Sequence, residues 1–161
     1  METKERSKLG AKSRKEGKAF EPRVYRDMSE KGWIVNRWSN DVEFDLDVLD
    51  IKENVAMKLG KVVLAKTKWR HTPRGMMPMN LNPGFPDFVC FKEEKGLSGA
   101  LGLYDVIGVE CKISGSLDKL EKEKCKWYLD NNVFSKILIA SKVKEKNRIK
   151  VVYEDFLEKY G

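Results

Sequence analysis

The chain lacks glutamine entirely and has one histidine and three cysteines among its 161 residues. The cysteines, Cys90, Cys111 and Cys125, are widely spaced and include no CxxC pair, which argues against a zinc site or a disulfide framework. The N-terminus has no apolar run typical of a secretory signal. No stretch approaches the ~20 apolar residues of a membrane span. We therefore expect a soluble, cytoplasmic protein without a membrane partner.

Charge, by contrast, is abundant, with 32 basic residues against 25 acidic ones. Charged residues make up 35% of the chain, and the net charge is +7. A positive excess favours polyanionic partners, with nucleic acid ahead of acidic membrane. Because the same excess also serves solubility, charge alone does not identify a partner.

The length of the chain predicts a single domain with a core of its own. Residues 1–15 are polar and lysine-rich, and we expect them to form a basic flexible arm ahead of one domain at 16–161. Helical periodicity follows the arm. Because Pro22 is best accommodated in a first helical turn, we expect this helix to begin near Phe20 or Glu21.

Further along, apolar runs alternate with turn-forming residues. Strands are predicted at 33–38, 87–91, 104–112, 137–140 and 149–152, and helices at about 116–131 and 153–160. The segment 39–83 is insertion-like, with a short strand near 61–65 and a loop rich in Pro, Met and Asn at 70–83. This order of elements favours an α/β fold with a mixed central β-sheet flanked by helices.

Two short strings place charges within apolar runs. Asp87 follows Pro86 directly before a strand, and Glu110 and Lys112 lie two apart in another strand, on one face of it. Buried charges are costly unless they are paired or bound to metal. Converging on neighbouring strands, these side chains would suit a divalent cation and a phosphodiester. Taken singly, Pro86-Asp87 could be turn chemistry, and Glu110 and Lys112 an ion pair on an exposed edge.

Taken together, these motifs have a family likeness. Glu21 on a helix, then Pro86-Asp87, then Glu110-Cys111-Lys112 before another helix resembles the PD-(D/E)XK nuclease superfamily. The sequence around these motifs is similar to that of archaeal Holliday junction resolvases and of virus-type replication-repair nuclease (VRR-NUC) domains. The resemblance implies a restriction-endonuclease-like fold and hydrolysis of DNA that depends on Mg²⁺, with Mn²⁺ as a substitute.

The resemblance also implies residue roles. Asp87 and Glu110 would bind the metal together with the backbone carbonyl of Cys111. Lys112 would orient the attacking water and stabilise the phosphate, and Glu21 would complete the metal site. Since opposite charges favour the ionised lysine, Lys112 is better suited to electrostatic stabilisation than to general base catalysis.

Other residues are candidates for contacts with DNA. Lys124 stands where VRR-NUC-like members carry a glutamine, and a lysine there could contact a phosphate. Three loop residues are further candidates for phosphate contacts, with a merely solvated loop as the alternative: Arg70, His71 and Arg74. Trp69 could stack on an unpaired base. The alternating charges at 118–126 are expected to form a solvated, salt-bridged face.

Three functions are compatible with the sequence. The leading hypothesis is a structure-selective endonuclease, similar to a Holliday junction resolvase, that cuts branched DNA as a homodimer. A VRR-NUC-like or viral repair nuclease acting on flaps or linear duplex is the first alternative. The second is a nucleic-acid-binding module without catalysis.

Overall fold

A computed structural model describes residues 2–52, 55–67, 69–73, 75–78, 84–94, 102–146 and 148–161, with side chains from residue 15 to 45 and from 59 onward. These ranges contain helices α1 (Glu2–Glu30), α2 (Lys119–Asp130) and α3 (Phe156–Tyr160). The strands are β1 (Ile34–Arg37), β2 (Asn40–Lys52), β3 (Val55–Leu64), β4 (Trp69–Thr72), β5 (Gly75–Pro78), β6 (Phe88–Glu93), β7 (Tyr104–Cys111), β8 (Lys136–Glu145) and β9 (Arg148–Asp155).

Five strands form a central sheet in the order β1-β6-β7-β8-β9. Neighbours are antiparallel except for β7 and β8, which are parallel and are joined through α2. Parallel neighbours need such a crossover, whereas antiparallel ones need only a turn. The mixed sheet with flanking helices predicted from the sequence is thereby confirmed.

The helices pack on opposite faces of this sheet. Alternation along β6 sends Phe88 and Cys90 into one apolar cluster and Val89 into the other. Three residues at helical spacing bring α1 to the first cluster: Phe20, Val24 and Met28. Residues of α2 and α3 bring those helices to the second cluster: Cys125, Tyr128 and Phe156.

Helix α1 begins far earlier than the sequence predicted. It runs from Glu2, so residues 2–15, expected to be a flexible arm, are helical, and Pro22 lies inside the helix rather than in its first turn. Lys, Arg, Glu, Leu and Ala, all good helix formers, dominate the part before Pro22. A helix continuous through Pro22 loses one backbone hydrogen bond there, which packing of its apolar residues offsets.

The segment 39–83 contains two hairpins. Strands β2 and β3 pair along much of their length, and β4 pairs with β5 where a loop was expected. Gly75 turns the second hairpin with φ of +106°, a left-handed conformation that glycine adopts without strain. The first hairpin packs against α2 at Gly60, where an added Cβ would come within 2.9 Å of Trp127 Nε1.

The other predicted elements are present with shifted ends. The helix after β7 begins at Lys119, with Asp118 as its N-cap, about three residues after its predicted start. Strands β8 and β9 are longer than their apolar runs, since they pair with each other as far as Glu145 and Arg148. No helix within the described residues is long and apolar enough to cross a membrane.

Candidate active site

The register of β6 and β7 brings the two strand-borne carboxylates together. Phe88 pairs with Val109, so Asp87 and Glu110 meet at the same end of the two strands. The N–H of Cys111 donates to Asp87 Oδ2 at 2.9 Å, and the N–H of Asp87 donates to Glu110 Oε2 at 3.1 Å. Each carboxylate is therefore held by the backbone of the opposite strand.

Lys112 joins this pair from the end of β7. Its Nζ lies 3.2 Å from Glu110 Oε1 and donates a short hydrogen bond to Glu121 Oε1 on α2. Glu121 in turn belongs to the capping box of α2, in which its Oε2 accepts the N–H of Asp118 at 2.9 Å. The position of Lys112 is thus set by β7 and by the first turn of α2.

Burial makes both carboxyls weaker acids than usual. The pKa of Asp87 is raised to about 6, mainly by burial and then by the charge of Glu21, while the backbone hydrogen bond from Cys111 opposes the rise. Glu110 is only 5% exposed. Its burial, followed by the charge of Asp87, raises the pKa well above that of an ordinary glutamate. Two carboxylates held this close repel each other, so positive charge beside them is favourable.

Lys112 supplies part of that positive charge. Burial alone would lower its pKa, but the charges of Glu110 and Glu121 and their hydrogen bonds outweigh burial and raise the pKa above the usual lysine value. The ammonium group therefore stays protonated at neutral pH, as the sequence predicted from its neighbours.

Glu21 approaches the site from α1. Arg37 of β1 donates from Nη2 to Glu21 Oε2 at 2.5 Å. The two charges act on Asp87 in opposite directions, because Glu21 raises and Arg37 lowers the pKa of that carboxyl. Glu21 is thus near enough for its charge to act on Asp87, and Arg37 is a cationic partner that the sequence had not singled out.

The chain just before Asp87 is held by α2. Tyr128 is fully buried and donates its hydroxyl to the carbonyl of Phe85 at 2.8 Å, while Trp38 Nε1 donates to the same hydroxyl at 3.3 Å. The N–H of Trp38 donates to the carbonyl of Asp87 at 3.2 Å. These bonds fix the direction from which Asp87 enters the site.

Lys124 lies next to the site, but its charge is already paired. Its Nζ is 2.6 Å from Asp41 Oδ1 and only 13% of its side chain is exposed. Both residues line a cleft of about 420 Å³ between the β2–β3 hairpin and α2, which also contains Glu110 and Glu121. Part of the 118–126 stretch therefore faces this cleft, contrary to the expectation of a solvated face.

Two of the predicted DNA-contacting residues, Arg70 and His71, are not joined to the cluster within the described part of the chain. Arg70 and His71 are exposed on β4, and no described hydrogen bond or ion pair joins either to the carboxylates. Arg74 lies outside the described residues. Cys111 lies within the cluster, where burial and then the charges of Asp87, Glu110 and Glu21 raise the pKa of its thiol.

The carboxylates fit a hard cation that takes few protein ligands. Among the described residues no group of three or more His, Cys, Asp or Glu side chains is arranged to hold a metal ion. Asp87 and Glu110 are held side by side by the two strands, and Mg²⁺ is commonly held by one or two carboxylates while it keeps several waters. Their burial and mutual repulsion are further reasons for a cation to bind there.

Comparison of the chain with protein-family models, with curated proteins and with solved structures finds no match. The site must therefore be interpreted from its own geometry. That geometry adds four residues to those predicted: Arg37, Asp41, Glu121 and Tyr128. Of these, only Glu121 has a local signal, because Asp118 and Glu121 have the spacing of a capping box.

Proposed function

We propose that the protein is a divalent-cation-dependent nuclease of the PD-(D/E)XK type, with a restriction-endonuclease-like fold. The observation that carries the proposal is the convergence of Asp87, Glu110 and Lys112 at one end of β6 and β7. A protonated lysine beside two carboxylates of raised pKa is a grouping expected of a catalytic centre.

Each side chain of the site would have its own role in hydrolysis of a phosphodiester. Asp87 and Glu110 would hold the cation, and Glu21 on α1 would complete the acidic cluster. When bound, the cation supplies the positive charge that polarises the phosphodiester and activates water. Lys112 stabilises the negative charge that develops on the phosphoryl oxygens, and Glu121 holds its ammonium group in place before substrate binds.

DNA is the proposed substrate, and branched DNA is the leading form of it. The net charge of +7 supports a polyanionic ligand. Cutting a junction at two symmetrical positions needs two copies of the site, so we propose a homodimer with two-fold symmetry. Sedimentation of the protein on junction DNA as a single copy would contradict the dimer.

The test compares junction, flap and linear duplex DNA of matched sequence, incubated with Mg²⁺, Mn²⁺ or EDTA. We expect cleavage with either metal and none in EDTA. The variants Asp87→Asn and Glu110→Gln should lose most of the activity, and Lys112→Met should lose about 10²–10³-fold in rate, as for other preorganised donors.

Asp105→Asn is the matched control, because Asp105 lies in β7 at the end away from Glu110. This variant should cleave like the parent protein. Cleavage in EDTA, or equal cleavage by Asp87→Asn, would refute the proposal. Tight DNA binding without cleavage under any of these conditions would instead support a binding module.

A further inference from the structure

The β4–β5 hairpin leaves large side chains exposed on both of its faces. Trp69 is 57% exposed, Met76 51% and Met77 53%. Arg70 and His71 are exposed as well. Within the described part of the chain, no side chain of these five residues makes a hydrogen bond or an ion pair. An isolated two-stranded hairpin is only marginally stable in water, so this exposure points to a partner.

Charge indicates what kind of partner the hairpin meets. From Lys66 to Pro86 the chain contains no Asp or Glu, although 25 acidic residues are present in the chain. Basic residues occur throughout the first half of the same stretch: Lys66, Lys68, Arg70 and Arg74. A surface with exposed apolar groups, cations and no acid complements a polyanion that also carries flat apolar surfaces, which describes nucleic acid.

The hairpin is also tethered at the candidate active site. The chain leads towards β4 from Ala65 and Lys66 and returns from β5 at Gly84 and Phe85. All four residues line the cleft that contains Glu110. A nucleic acid bound with its scissile phosphate at Glu110 would therefore pass the root of the hairpin.

The register sorts the hairpin side chains into two mixed faces. Trp69 pairs with Pro78 and His71 with Met76, so Trp69, His71 and Met76 share one face. Arg70 pairs with Met77 on the other face. Each face thus combines an apolar group that can contact a base with a group that can contact a phosphate.

We propose that the β4–β5 hairpin recognises DNA at points where bases are unstacked, as at a branch or fork, and directs such DNA to the cleft. Trp69 stacks on an exposed base and Met76, on the same face, packs against the neighbouring base, while Arg70 on the other face contacts a backbone phosphate. Continuous duplex offers no free base face to Trp69 and binds through the phosphate contacts alone. As a mechanism of substrate selection, this inference rests on the proposed nuclease function.

Binding is measured separately from cleavage, with the Asp87→Asn protein in EDTA. Fluorescence anisotropy gives the Kd for a forked duplex and for a continuous duplex of the same sequence. A fluorescent adenine analogue at the first unpaired position of the fork reports stacking. We expect the fork to bind about tenfold more tightly than the duplex, with a change in analogue fluorescence.

Two hairpin variants should affect different parts of this binding. Trp69→Ala should weaken fork binding about tenfold, leave duplex binding unchanged and abolish the fluorescence change, while Trp69→Phe keeps most of both. Arg70→Ala should weaken fork and duplex equally and reduce the salt dependence of binding by about one phosphate contact. Tyr104→Ala is the matched control, since Tyr104 is a 52% exposed aromatic residue at the far end of β7.

Three results would overturn the hairpin proposal: equal affinity for fork and duplex, equal loss of both in Trp69→Ala, or the same loss in Tyr104→Ala. Conversion of a dimer to a monomer by Trp69→Ala, with DNA binding intact, would assign the hairpin to contact with a second copy. A protein that binds forks as expected but cleaves nothing with Mg²⁺ would refute only the nuclease. A nuclease whose fork preference survives Trp69→Ala would refute only the hairpin.

Discussion

The Glu121 carboxylate makes two structural hydrogen bonds, one through each of its oxygens. One carboxylate oxygen caps the start of α2 through the N–H of Asp118, and the other accepts from Lys112. The bond to Asp118 can be predicted from the sequence, because a capping box has a fixed spacing of three residues. The bond to Lys112 cannot, since it depends on the path of the crossover after β7.

Substitution of Glu121 can separate helix capping from the contact with Lys112. Glu121→Gln keeps a side-chain oxygen for the capping box but removes the charge that holds Lys112. We expect cleavage to fall about tenfold, because a misplaced lysine stabilises the phosphoryl charge less well. The free energy of unfolding should change little. The measurement is the single-turnover cleavage rate together with urea denaturation.

Asp118→Ala is the complementary control. It removes the carboxylate oxygen that accepts the N–H of Glu121 at 2.9 Å. The lost cap should cost about 1 kcal/mol of stability. Its cleavage rate per folded molecule should match that of the parent protein. If both variants lose activity and stability in parallel, Glu121 acts only through the helix and not on Lys112.

At the scale of an element, α2 presents one face to the site. Glu121, Lys124 and Tyr128 are three and four residues apart, a spacing that aligns side chains along a helix. They contact Lys112, Asp41 and the Phe85 carbonyl respectively. The helix therefore connects β7, the β2–β3 hairpin and the segment that leads to Asp87.

Removing the Tyr128 hydroxyl should loosen the contact between α2 and the segment that leads to Asp87. In Tyr128→Phe the buried carbonyl of Phe85 and the Trp38 indole N–H each lose a partner. We expect a loss of about 1–3 kcal/mol in the free energy of unfolding, because buried polar groups would be left unsatisfied. Cleavage should also slow, since the segment that leads to Asp87 is less well held.

Tyr25→Phe serves as the control for this element. Tyr25 is 48% exposed on α1, so removing its hydroxyl should change neither quantity by a measurable amount. Thermal unfolding followed by circular dichroism gives the stabilities. A Tyr128→Phe protein as stable as Tyr25→Phe would show that the hydroxyl does not support the site.

Elements were predictable to the extent that their patterns are local. The apolar runs around Asp87 and Glu110 predicted β6 and β7, because alternation and burial are properties of the strand itself. The predicted start of α1 near Phe20 or Glu21 is wrong, because the packing of Phe20 and Val24, on either side of Pro22, carries the helix through the proline. The β4–β5 pairing was missed because its side chains are exposed and show no periodicity.

At the scale of the whole molecule, the site costs stability. The carboxyl of Asp87 has a pKa of about 6 in the folded protein, against about 3.9 in an unfolded chain. Between these values the folded state binds more protons than the unfolded state. Stability in the absence of metal should therefore fall as the pH rises from about 4 to about 6, and stay low above that.

Asp87→Asn should remove this cost. Without metal, the variant should be more stable than the parent protein by about 2–3 kcal/mol above pH 6 and equally stable below pH 4, because asparagine stays neutral throughout. Mg²⁺ should stabilise the parent protein and not the variant. Urea denaturation at about pH 4 and about pH 8, with and without Mg²⁺, measures both effects. If Asp87→Asn lost stability at the higher pH while Asp105→Asn did not, the charged Asp87 carboxylate would not be a cost to stability.

The sequence by itself determined which residues could do the chemistry and how they alternate. Asp87 before one strand, and Glu110 and Lys112 on one face of another, follow from the two-residue period of β structure. Only the tertiary structure decided what each of them meets. Glu121 reaches Lys112 through a crossover, and Lys124 is paired with Asp41, which is 83 residues away in the chain. Local patterns encode the direction of a side chain, whereas its partner depends on the path of the whole chain.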